Sequence, residues 1–120
     1  MSARVLVADD SSTMRKIILR SLGAVGVSTA VEAADGVEAI DAFKPGEFDL
    51  VLTDWNMPRK NGLEVIQEVR KQDKDVTIIM VTTQAEKSRV LEAIQAGVTD
   101  YLVKPFTADM LRDKLEKHGC

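Results

Sequence analysis

The sequence predicts an α/β domain, a doubly wound three-layer sandwich with a five-stranded parallel sheet between two layers of helices. Three observations lead there. Short apolar runs alternate with segments of helical periodicity five times along 120 residues, the pattern of successive βαβ units. The runs Val5–Leu6–Val7–Ala8, Leu50–Val51–Leu52 and Ile78–Ile79–Met80–Val81 are apolar without alternation, as strands covered on both faces must be. Right-handed crossovers then place helices on both sides of one sheet.

Each element has its own signal. After the first strand, Met14, Ile17, Ile18, Leu22 and Val25 fall on one helical face, which stops near Gly26. The second strand, Val27 to Val31, is broken by Ser28 and Thr29, and as the most polar of the five it belongs at a sheet edge. Asp35, with Glu38 three residues on, reads as the N-cap of a helix that buries Val37, Ile40 and Phe43. Pro45–Gly46 closes that helix, and the third strand runs from Asp49 into Asp54. Leu63, Ile66 and Val69 mark the third helix. Thr83 and Glu86 read as a capping box for a fourth helix with Val90, Leu91 and Ile94 facing in and Gly97 as its stop. Tyr101–Leu102–Val103 is the fifth strand, and Thr107 caps a last helix whose inward residues are Met110, Leu111 and Leu115.

Bulk properties narrow the function. The chain forms one domain over residues 1–120, with 45% apolar and 29% charged residues, long enough to bury a core without disulfides. A net charge of −3 and a pI near 5.2 argue against a nucleic-acid surface. No apolar run reaches the ~18 residues of a membrane span, and no leader pattern opens the sequence. One cysteine, Cys120, excludes an internal disulfide and fits a reducing cytoplasm; one histidine, His118, excludes a histidine-rich metal site. There is no linker or repeat, and because the last helix runs to the end of these residues no output domain is expected within them.

The chemistry sits at the strand ends. The first strand runs into Asp9–Asp10, the third into Asp54, the fourth into Thr82–Thr83 and the fifth into Lys104–Pro105. In an open parallel sheet these carboxyl ends border the crevice where ligands bind. Each carboxylate pair at ~5 Å and an effective dielectric of about 20 repels by roughly 3 kcal/mol, more than Lys104 alone can offset. A hard divalent cation preferring oxygen ligands, Mg²⁺ above all, is the natural counter-charge. An acidic residue at a loop start is often just a solvated cap, and Asp9 alone would carry little weight; three from neighbouring strands do. Asp54, ending the central strand, is placed to attack phosphorus and form an aspartyl phosphate. Thr82 can donate to one phosphoryl oxygen and Lys104 can pair with another, although a threonine at a strand end is more often a cap. Lys104 emerges from a buried strand into a proline, a place where a cis bond is inexpensive. Tyr101 reads from physics alone as a half-buried aromatic of an edge strand, and Trp55 as a loop aromatic.

At these residues the chain resembles the response-regulator receiver domains, and among them the free-standing chemotaxis members. The matching stretches are Ala8–Asp9–Asp10–Ser11–Ser12–Thr13–Met14–Arg15, Asp54–Trp55–Asn56–Met57–Pro58, Gly62–Leu63–Glu64, Val81–Thr82, Gln95–Ala96–Gly97 and Tyr101–Leu102–Val103–Lys104–Pro105–Phe106–Thr107, which cover the chain nearly end to end. The resemblance implies a (βα)5 flavodoxin-like fold with strand order 2-1-3-4-5, an order known for this family rather than read from the strand patterns. It implies that Asp54 accepts a phosphoryl group from a sensor histidine kinase. Asp10 and Asp54 would bind Mg²⁺ directly with the Asn56 backbone carbonyl, Asp9 would act through water, and Thr82 and Lys104 would contact the phosphoryl group. Thr82 and Tyr101 would be a switch pair that remodels the surface of helix four, strand five and helix five for a protein target such as a flagellar motor switch component. Asn56 and Gln84 would tune the loss of phosphate. A monomeric cytoplasmic signalling protein is expected, not an enzyme beyond its own phosphoryl transfer and slow autodephosphorylation, with no nucleic-acid or membrane partner. An excised receiver of a larger response regulator stays open as the alternative.

Other functions fit less well. A phosphatase of the haloacid-dehalogenase type would carry its nucleophile after the first strand and an acid two residues later; here Asn56 stands two residues after Asp54. A flavodoxin-like FMN carrier is suggested by Ser11–Ser12–Thr13, but a phosphate there would face Asp9 and Asp10, and one Trp and one Tyr leave little to sandwich a flavin. A non-phosphorylated interaction module of the same fold is disfavoured because every site residue is present.

Overall fold

The structure, a computed structural model, describes residues 3–27, 29–83 and 87–120. Five strands and five helices alternate: β1 (Arg4–Ala8), α1 (Ser12–Ala24), β2 (Thr29–Ala33), α2 (Gly36–Ala42), β3 (Leu50–Asp54), α3 (Gly62–Gln72), β4 (Thr77–Thr82), α4 (Lys87–Ala96), β5 (Asp100–Val103) and α5 (Ala108–Lys117). The sheet order is β2-β1-β3-β4-β5, with every pairing parallel. This is the expected doubly wound sandwich, with β2 at an edge. The second strand lies two residues later than its apolar pattern suggested, at Thr29–Ala33, because Thr29 and Ala30 pair with Arg4 and Val5 of β1.

Alternation along each strand divides the core in two. Leu6, Ala8, Val51, Ile78 and Met80 face α2, α3 and α4, where Ala39, Phe43, Val65, Ile66, Val69 and Ala93 meet them. Val5, Val7, Leu50, Leu52, Ile79, Val81 and Leu102 face Ile18 and Leu22 of α1 and Leu111 and Leu115 of α5. Residues i and i+2 share a face of a pleated strand, so continuous apolar runs supply both cores at once.

Side chains open the helices. Ser11, Asp35, Asn61 and Thr107 accept from the backbone N–H three residues on, at 3.2, 2.8, 3.0 and 3.2 Å. At Asn61 the box is complete, since Glu64 accepts the Asn61 N–H. Glu38 instead accepts the N–H of Ala34, one residue before the cap. The Thr83–Glu86 box expected for α4 falls on Glu86, outside the described residues.

Three expected inward faces need correction. On α4, Leu91 and Ile94 are 59% and 56% exposed, while Ala93 is fully buried. The helix lies against the sheet side through small residues, Ala93 with Ala96 beside it, so its larger apolar stripe turns outward. Met110 of α5 and Ile17 of α1 are likewise exposed beside the buried Leu111, Leu115, Ile18 and Leu22. Trp55, read as a loop aromatic, is buried in the α2–α4 core, with the Arg89 guanidinium 5.5 Å from its ring.

Candidate functional site

The winding reverses between β1 and β3, and the crevice there is framed by the residues that end these strands. Ala8 pairs with Thr53, so Asp9, Asp10 and Asp54 emerge side by side. Carboxylate oxygens of the three lie within 4.8 Å of one another. The site is thus assembled by strand register, as the strand-end pattern required.

Their surroundings differ. Asp9 is almost completely buried; one oxygen accepts the Ser11 N–H at 2.9 Å and the other meets Lys104 Nζ at 3.0 Å. Arg15 donates to the Asp9 carbonyl and pairs with Glu32 at 3.0 Å, which ties α1 and β2 to the turn. Asp10 stands exposed at the rim. Asp54 is partly buried, accepts the Trp55 N–H at 2.8 Å through Oδ1, and lies 3.6 Å from Lys104 Nζ through Oδ2. Burial pushes the Asp54 carboxyl above its ordinary range; Lys104 opposes that shift, and the charges of Asp9 and Asp10 add to it.

Lys104 is buried to its tip and joined to Pro105 by a cis peptide bond. Its N–H bonds the Thr82 carbonyl at 2.6 Å, which fixes the end of β5 against the end of β4. Thr82 is itself buried. Met80 pairs with Tyr101 and Thr82 with Val103, so Thr82 and Tyr101 lie on the same sheet face, the one covered by α4. Tyr101 is half-buried there, with Lys114 Nζ 5.6 Å from its ring. Asn56 is exposed, and with Asp10, Met57, Pro58 and Asn61 it lines an open depression of about 530 Å³ beside the carboxylates. Gln84 lies outside the described residues.

The loop from Trp55 to Asn61 is closed tightly. Gly62 donates to the Trp55 carbonyl at 2.8 Å, and a Cβ at Gly62 would stand 2.2 Å from the Asp54 carbonyl oxygen. Only glycine lets α3 begin this close to Asp54. Arg59 in this loop has φ 67, and its guanidinium holds Asp35 at the start of α2. Nothing in the local pattern announced Arg59, because its partner is 24 residues away. Arg70 was also unforeseen: its guanidinium binds the carbonyls of Gly97, Asp73 and Val76 at 2.8, 3.2 and 2.6 Å, joining α3 to the α4–β5 turn and the approach to β4.

The donor set suits a hard cation. Three carboxylates face one ammonium, all the ligating atoms are oxygens, and the crevice opens to solvent at Asp10.

Comparison with known proteins agrees with this geometry. The family profile described as "Response regulator receiver domain" matches residues 5–116. A chemotaxis protein CheY homolog of Campylobacter jejuni is 49% identical over 116 residues, 94% of this chain and 89% of that protein. Chemotaxis protein CheY-3 of Vibrio cholerae is 42% identical, over 95% of this chain and 89% of its own length. The structure of the chemotaxis response regulator CheY4 of Vibrio cholerae superposes with a TM-score of 0.88 at 34% identity, covering 98% of this chain and 99% of that one. With the match spanning almost every element and the acidic crevice in place, the chain belongs to the response-regulator receiver domain family.

Proposed function

We propose that this domain is a phosphorylation-activated signalling receiver of the CheY type, in which Asp54 accepts a phosphoryl group from a sensor histidine kinase and the resulting change in surface engages a protein target in chemotaxis. The carrying observation is the crevice itself: three carboxylates within 4.8 Å of one another, with Lys104 bridging Asp9 and Asp54. A packing site would not collect this surplus of negative charge; a site that receives a cation and a phosphoryl group has to.

The roles follow from the surroundings. Asp10 and Asp54 would hold Mg²⁺ directly together with the Asn56 carbonyl, as in the family, while Asp9, almost completely buried and with Lys104 closer to it at 3.0 Å than to Asp54 at 3.6 Å, would act through water. Bound there, Mg²⁺ supplies charge neutralisation for the phosphoryl oxygens. An Asp54 oxygen forms the new P–O bond as the P–N bond of the donor phosphohistidine breaks, and the departing imidazole keeps the electron pair and takes up a proton. Lys104, anchored by Asp9, is within reach of the phosphoryl group without reorganisation. Thr82 approaches another phosphoryl oxygen, and its movement leaves room for Tyr101 on the same face to turn inward, which biases the α4–β5–α5 surface between two states. Leu91 and Ile94, outward on α4, suit that surface to a protein target such as a flagellar motor switch component. Asn56 and Gln84 set the rate at which water removes the phosphate. The protein acts as a cytoplasmic monomer, with catalysis limited to its own phosphorylation and slow dephosphorylation.

Acetyl phosphate and Mg²⁺ should add one phosphoryl group, read by intact mass and labile in base as an acyl phosphate is. Asp54→Asn should abolish the addition, since an amide is not a competent nucleophile. Undiminished modification of that variant would place the nucleophile elsewhere.

A further inference from the structure

The loop that carries Asn56 contains an unusual commitment of backbone. Arg59 is the one non-glycine residue with positive φ among the described residues, at 67°. A side chain there is disfavoured, and such a conformation persists only where the surroundings hold it. Two contacts hold it: the Lys60 N–H bonds the Pro58 carbonyl at 2.8 Å across Arg59, and Asp35 Oδ2 lies 2.9 Å from Arg59 Nε and 2.8 Å from Nη2 of the half-exposed guanidinium, a fork closing on one oxygen. Asp35 is 11% exposed and is already fixed by capping α2, through Oδ1 to the Glu38 N–H at 2.8 Å. The next residue, Gly36, approaches the same loop so closely that a Cβ would stand 2.0 Å from the Lys60 carbonyl oxygen. Inside the loop Lys60 bonds Pro58, and from outside the loop is tied by Gly62 on the Trp55 carbonyl, by the Asn61–Glu64 cap, by Gly36 against Lys60 and by Asp35 on Arg59.

We infer that Asp35 and Arg59 form a positioning pair for the cation site. This rests on the Mg²⁺ reading above and deepens it. Asp10 and Asp54 are set by strands, but the Asn56 carbonyl belongs to the loop. Its distance from the carboxylates is fixed by how the residues from Asn56 to Lys60 are tied down. A carbonyl ligand adds to affinity only when it is held in place beforehand, since otherwise binding the ion must also order the loop. The start of α2 thus acts as an outside post against which the ligand loop is braced.

A simple field effect makes a different prediction. Removing the positive Arg59 would tighten Mg²⁺ binding and removing the negative Asp35 would weaken it. Bracing predicts weakening in both. Asp35→Asn keeps a good N-cap, and Arg59→Gly keeps a residue at ease with positive φ, so both should fold.

The test is Mg²⁺ titration of the full chain without phosphodonor, by calorimetry and by Trp55 emission, for the wild type, both single variants and the double variant. Outer partners of metal ligands are worth on the order of ten- to a hundredfold in affinity, and this pair, acting through the backbone, is expected at the lower end. The dissociation constant should rise about 5- to 10-fold in each single variant. The double variant should be no weaker than either single, because both remove one contact. Wild-type affinity in both singles, opposite signs in the two, or additive losses in the double would overturn the pairing while leaving the cation site standing. A wild-type protein with no saturable response would overturn the cation site and the pairing with it.

Discussion

Asp54 and Asp100 stand at opposite ends of the sheet, the last residue of β3 and the first of β5, and their surroundings treat the same carboxyl group in opposite ways. Asp54 shares the Lys104 ammonium with Asp9 and faces Asp10 as well; burial and these like charges raise its pKa. Asp100 meets a surplus of donors: Lys114 at 3.0 Å, His118 Nε2 at 2.8 Å, Lys117 at 3.8 Å and the Tyr101 N–H at 2.8 Å. Burial pushes the Asp100 carboxyl up, but the hydrogen bonds from His118, Tyr101 and Lys114 outweigh it and hold the pKa at about 2. One acid is left wanting a cation and the other is saturated. The saturated one fastens α5 to β5; around the other, three carboxylates share one ammonium.

The contrast can be broken at its cation first. Lys104→Met would leave Asp9 buried without its ammonium partner and remove the positive charge that opposes Asp54. Losing one side of a buried pair commonly costs 3–5 kcal/mol, and because Asp9 keeps the Ser11 N–H, a loss of about 3 kcal/mol is expected in Mg²⁺-free urea unfolding at pH 7. A loss below about 1 kcal/mol would mean that the ammonium does not hold this end of the sheet together.

Asp100→Asn should also destabilise, by less. A carboxyl held near 2 instead of 3.8 contributes about 1–2 kcal/mol once solvent screening is allowed for. The sign fixes the window. The unfolded chain takes up the proton first, so the contribution is complete above pH ~4 and fades as pH falls toward 2. Wild type and variant should therefore converge in stability across that interval. A gap that persists at pH 2 would assign the effect to packing rather than to charge.

Asp54→Asn should do the reverse, with a smaller effect: a gain in stability at pH 7 without Mg²⁺. A raised carboxyl pKa means that the folded state holds the proton more tightly than the unfolded one, so Asp54 works against folding above its folded pKa. That penalty lifts as pH falls toward the ordinary carboxylate range. The variant's advantage should shrink on acidification, and Mg²⁺ should shrink it at pH 7. If Asp54→Asn and Asp100→Asn shift stability in the same direction, the opposition between the two ends is wrong.

The site was legible because its residues announce themselves in the chain. Asp9, Asp10, Asp54, Thr82 and Lys104 each follow an apolar run, and parallel strands align such ends without further instruction. The braces were not legible. Arg59 reaches Asp35, and Arg70 reaches carbonyls of the α4–β5 turn, through contacts between distant segments that carry no periodic or spacing signal. The α4 face was misread for a different reason. Helical periodicity reports where large apolar side chains lie, and here the fully buried position is Ala93, which any hydrophobicity pattern ranks below Leu91 and Ile94.

Mooring by so small a side chain has a consequence for how tightly α4 is bound to the rest. The attraction between a helix and a sheet scales with the apolar area they hide from water, and an alanine hides little. Between Arg89 and Ala96, detaching the helix forfeits far less than detaching β1 or β3, whose apolar side chains are enclosed on both faces. The backbone amides of this stretch should therefore trade their hydrogens with solvent through partial openings, while those of the central strands wait for the whole domain to unfold. A receiver built this way carries a lightly moored helix on the side of the sheet where Thr82 and Tyr101 lie.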